Sequence, residues 1–87
     1  MAQIGAEIDQ LTALKGVFDR QSVNVSELVS AVDSQVAGTF WVGPAADRFK
    51  SQWEGEFKRV LRSLQSSLAE AGAEVARNRD ALIAAQS

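Results

Sequence analysis

The side chains able to do chemistry are few, and their absences are the first information. The 87-residue chain contains no Cys and no His. Thiolate nucleophiles, disulfides, Cys/His zinc sites and imidazole-dependent triads are therefore excluded by composition. Carboxylates remain, but a general acid–base pair must converge on one space. Glu54 and Glu56, two apart on a helix, point to different faces. Arg48, Lys50, Lys58, Arg59 and Arg62 form the densest cationic stretch, with Asp47, Glu54 and Glu56 set among them. Nine basic against eleven acidic residues leave a net charge of −2, without the basic stripe of a nucleic-acid binder. That stretch reads as a mixed, solvated helix face. The expectation is a non-enzymatic protein with no cofactor or metal, no nucleic-acid partner and no small-molecule substrate. The residues that stand out are aromatic: Trp41 of Trp41-Val42-Gly43, then Phe49, Trp53 and Phe57 four apart.

Two long elements must position them. The strongest punctuation is Gly38-Thr39-Phe40-Trp41-Val42-Gly43-Pro44, with the only proline of the chain. Gly38 is suited to end one helix in the left-handed conformation, and Pro44 to open the next, where its missing N–H costs nothing. Asp47 then lies near that helix's positive end. Before the turn, apolar residues run from Ile4 through Leu11, Phe18, Leu28 and Val32 to Val36. After it they run from Phe49 through Trp53, Phe57, Leu64 and Leu68 to Leu82. Gaps of mostly three and four are the pattern of amphipathic helices, and no stretch alternates strictly enough for a strand.

Arg20–Ser26 is the weak spot, with β-branched and small polar residues that form helix poorly. Asn24 and Glu27 even resemble a capping box. A break there gives three helices too unequal for a tidy bundle. Without one, the arms are roughly 35 and 42 residues, about 50 and 60 Å long at 1.5 Å per residue. Matched arms and a short turn favour an all-α antiparallel hairpin. Its expected form is a single domain over residues 1–87, with helix one about 4–38, turn 39–43 and helix two about 44–84.

This hairpin has more apolar surface than one seam uses. The doublets Val17/Phe18, Leu28/Val29, Val60/Leu61 and Leu82/Ile83 widen each stripe beyond two positions per heptad. A second hairpin would cover the surplus and complete a four-helix bundle. Phe18, Leu28, Val32, Phe49, Trp53, Phe57, Leu61, Leu64 and Leu68 are the expected core and dimer interface. Trp53 with Phe49 and Phe57 reads as ordinary core.

The first nine residues carry early acids and no apolar h-region, so a cleavable secretory leader is not expected. No apolar run approaches the roughly 20 residues of a membrane span.

With a Trp-x-Gly tripeptide between two long helices, followed by Pro44-Ala45-Ala46, the chain resembles the WXG family of small type VII secretion substrates, the early-secreted-antigen-like or Esx-like proteins. The resemblance spans essentially the whole chain. It implies a helical hairpin, pairing as homodimer or heterodimer with another small WXG protein, and leaderless export by a membrane-bound secretion ATPase. It also implies a recognition role for Trp41 and Gly43. Trp41 has a structural reading beside this, capping the hairpin over Phe40 or Val36, and Gly43 supplies backbone freedom to the turn. Family members often carry Tyr-x-x-x-Asp/Glu after helix two, whereas this chain has no Tyr. Aligning on Ala71-Gly72 puts Val75 and Arg79 at those two places, and a shift of one puts Ala76 and Asp80 there. The tail signal is degenerate, and its supply in trans is the expectation. The competing reading is a cytosolic helical adaptor or chaperone for a larger effector.

Overall fold

The structure is a computed structural model and describes residues 2–86. Helix α1 runs unbroken over Ala2–Gly38. The second arm is α2 (Pro44–Gln52), a π-helical turn over Trp53–Phe57, and α3 (Lys58–Gln86). The first arm folds back along the second, with α1 packed on α3, into a rod of 65 × 17 × 13 Å. Among the described residues there is no strand.

Arg20–Ser26 stays helical because tertiary contact overrides its weak propensity. Ser22 is buried, and its hydroxyl donates to the Gln65 carbonyl across the hairpin at 3.0 Å. Asn24 caps nothing; its amide donates to Gln21 Oε1 at 3.3 Å. Lower along the seam, Gly72 is buried against α1. A Cβ there would meet Asp19 Oδ1 at 2.8 Å and Phe18 Cβ at 3.3 Å, so a larger residue would displace the Asp19 carboxylate and press on Phe18 where the arms approach closely. Arg79 Nη1 donates to Thr12 Oγ1 at 3.3 Å nearer the open end.

One expectation at the turn needs correcting. Gly38 ends α1 but is not left-handed; the only positive φ in the described chain is 114°, at Gly43. The bend is held instead by Thr39, whose hydroxyl donates back to the Gln35 carbonyl at 2.5 Å. Gly43 makes the sharp entry, Pro44 begins α2, and the Asp47 N–H donates to the Gly43 carbonyl at 3.0 Å.

The π turn has no signature in the apolar spacing. Its effect is visible in the residues of the second arm that are screened by α1: Ala46, Lys50, Trp53, Lys58, Leu61, Gln65, Leu68 and Gly72. The gaps are three and four except between Trp53 and Lys58, which is five. In an α-helix, residues five apart diverge by roughly 140°. A π turn closes from i to i+5 and stacks them, as the Lys58 N–H donating to the Trp53 carbonyl shows. Phe57 is thereby rotated off the seam and is 41% exposed. It is not core within the hairpin, nor is Phe49 at 36% exposed, whereas Trp53 is buried.

Candidate functional site

The tip is built by two helix ends that cannot bury what lies between them. Phe40, Trp41 and Val42 are 94%, 42% and 74% exposed, three consecutive apolar residues facing solvent. Trp41 does not lie over Phe40. It packs on Phe49 of α2, ring centroids 5.7 Å apart and tilted by 44°, a favourable geometry for an aromatic pair. Lys50 Nζ donates to the Trp41 carbonyl at 3.3 Å and ties the loop to α2. Gln35, Val36, Thr39, Trp41, Phe49 and Lys50 line a largely apolar cleft between the two arms. Gly43, with its left-handed φ, turns the chain immediately after the tip.

Below the tip lies a polar cluster that anchors α1 to the second arm. The Trp53 indole N–H donates to Asp33 Oδ1 at 2.6 Å, and Lys58 Nζ lies 2.9 Å from Asp33 Oδ2. The π turn is what allows both residues to reach one carboxylate. The indole hydrogen bond first, and Lys58 second, hold the Asp33 carboxyl below its usual range. Asp33 in turn raises Lys58, against the opposing effect of its own desolvation. Lys58 also bridges to Glu54 at 3.3 Å. Asp33 was visible in the sequence only as a charge set at helical spacing between Val29 and Val36. Its partners were hidden, because a regular helix would aim Trp53 and Lys58 apart.

The residues at the degenerate tail site lie on α3, far from the tip. Pro44 and Arg79 are 35 positions apart, about 50 Å along a helix axis. Val75, Ala76 and Arg79 are half-buried, while Asp80 is exposed and paired with Arg79 at 3.2 Å. No single chain brings Trp41 and this segment together. Of the expected core and interface residues, Phe18, Val32, Leu61 and Leu68 are half-buried. Leu28 and Leu64 are exposed at 47% and 46%.

No group of three or more His, Cys, Asp or Glu able to hold a metal occurs among the described residues. Among the described residues no helix is long and apolar enough to cross a membrane.

No curated protein and no solved structure gives a significant match to the chain. The family model described as proteins of 100 residues with WXG matches residues 3–85. With Trp41-Val42-Gly43 at the bend of a helical hairpin, the chain belongs to the WXG100 family, the small substrates of type VII secretion.

Proposed function

We propose that this protein is exported by a type VII system, or targets a second substrate to it, as one half of a paired bundle. The observation that carries this reading is the exposed tip: Trp41 and Phe49 stand together beside a cleft, at the place of the family's tripeptide. A rigid aromatic at the end of a rod is a good anchor for a protein partner, and the secretion ATPase complex is the partner proposed. The tail half of the signal lacks its aromatic at Val75 or Ala76, so it comes from a protein that carries a tyrosine there.

Trp41 touches the tip and not the seam, which makes the roles separable. Trp41→Ala is expected to leave helicity unchanged and to lower the melting temperature by several degrees at most, since the half-exposed indole gives up one ring pair worth about 0.5–1.5 kcal/mol. Export of the same variant is expected to fall at least tenfold. Circular dichroism and a secretion assay in a host with a cognate system make the comparison. Parallel loss of fold and export would assign Trp41 to structure, undiminished export would remove its recognition role, and no export of the unmodified chain would favour the cytosolic adaptor.

A further inference from the structure

The bend between the arms is tied down at every second residue. Thr39 donates its N–H to the Val36 carbonyl at 3.4 Å and its hydroxyl to the Gln35 carbonyl. Trp41 is held at both ends by consecutive residues of α2, its ring by Phe49 and its carbonyl by Lys50. Gly43 accepts the Asp47 N–H as α2 begins. Between these anchors stand Phe40 and Val42, which make no hydrogen bond or ring contact among the described residues. Exposure follows the same alternation, 94% at Phe40, 42% at Trp41 and 74% at Val42. Phe40 is the most exposed large apolar side chain of those described.

Lys50 is available for this task because other groups satisfy its neighbours. Glu54, four residues on, pairs with Lys58, which also reaches Asp33. Lys50 makes no ion pair among the described residues, and its one hydrogen bond goes to the loop. A run of three exposed apolar residues is disfavoured on a surface that binds nothing. A side chain that leaves water on binding contributes in proportion to the apolar area it still exposes. Trp41 already has part of its ring covered by Phe49, whereas Phe40 has nearly all of its ring left to bury. Fixing the backbone on both sides of Phe40 also lowers the ordering cost that a loose loop incurs on binding. Interface anchors combine these two properties, a bare aromatic ring and a rigid mount.

We infer that Phe40 is the side chain that enters the partner, with Trp41, Phe49 and Lys50 as its mount. This rests on the reading of the tip given above and names the group that is read. The partner is a protein of the secretion ATPase complex, with an apolar pocket sized for one aromatic ring and Val42 sealing its rim. A lipid surface fits the tip less well. Asp47, Arg48 and Lys50 beside it are of both signs and the chain is net −2, without the basic cluster that draws a protein to anionic lipid.

The test compares export of full-length tip variants in a host with a cognate type VII system. Phe40→Ala is expected to lower export roughly tenfold or more, with helicity and melting temperature unchanged because its ring is almost wholly in solvent. Phe40→Leu still fills an apolar pocket and keeps most of the export. Trp41→Phe retains a ring against Phe49 and stays within about threefold of the parent. Lys50→Met lowers export by roughly threefold to tenfold, the size of a typical net hydrogen bond, and Lys50→Arg restores it. Undiminished export of Phe40→Ala overturns the inference; if Trp41→Ala still loses export, the proposed function stands. A parent chain that is not exported removes both. Flotation with vesicles of equal parts phosphatidylcholine and phosphatidylglycerol addresses the lipid surface, and no binding is expected. Binding by the parent that Phe40→Ala abolishes would overturn the protein pocket.

Discussion

Asp33 ties the two arms together as the common acceptor of Trp53 and Lys58. Its carboxyl is held below the ordinary value, so the native state favours the carboxylate. That stabilisation is fully present above about pH 4, the unfolded carboxylate range, and is lost as pH falls through the lower folded value. Lys58 has the opposite sign: its contribution is complete below about pH 10 and is lost as pH rises through the raised value. The expected outcome is a red shift of Trp53 emission below about pH 4, followed in a Trp41→Phe background so that only one indole reports. Asp33→Asn should flatten that acid limb while lowering the melting temperature at neutral pH. An unchanged acid limb in Asp33→Asn would mean that other carboxylates govern acid unfolding.

The π turn governs the second arm. It absorbs one residue so that Trp53 and Lys58 share a side, and the seam resumes from Leu61 in normal spacing. Removing that residue ought then to be tolerated. Deletion of Gly55, which has open space around it, places Trp53 and Lys58 four apart, where a regular α-helix stacks them. The deletion variant is expected to keep its helicity and a melting temperature at or above that of the parent. Deletion of Ser63, in regular α3, instead rotates part of the arm by roughly 100° relative to the rest and should lower the melting temperature sharply. Thermal melts of both variants decide it, and equal damage from the two deletions would rule out the turn as a register-absorbing element.

At the scale of the whole molecule, the core is thin. Val29, Ala46 and Trp53 are the only apolar residues buried among those described, while Phe57, Val60 and Leu64 face solvent. A rod 65 × 17 × 13 Å has too little interior to hide its apolar content, and a contiguous exposed stripe of this kind marks an interaction surface. If a second hairpin covers it, stability follows mass action. The melting temperature is expected to rise steadily with concentration, by several degrees over a hundredfold range, in differential scanning calorimetry. A constant value would show that the hairpin is as stable alone as in company.

The two arms, the bend and the Trp-x-Gly tip were legible in the sequence, because helical periodicity and Gly/Pro placement are local properties. So was the surplus of apolar doublets, which depends on composition and spacing alone. Arg20–Ser26 was the ambiguous stretch, where matched arm lengths favoured one unbroken helix against weak local propensity. The Ser22–Gln65 contact with the other arm that supports it there is not a local property. The sequence did not reveal that Trp53 is buried while its neighbours one turn away, Phe49 and Phe57, are not. That division depends on which face each arm turns to the other. A single π turn, stabilised by the long-range contacts of Asp33, resets that face within the second arm.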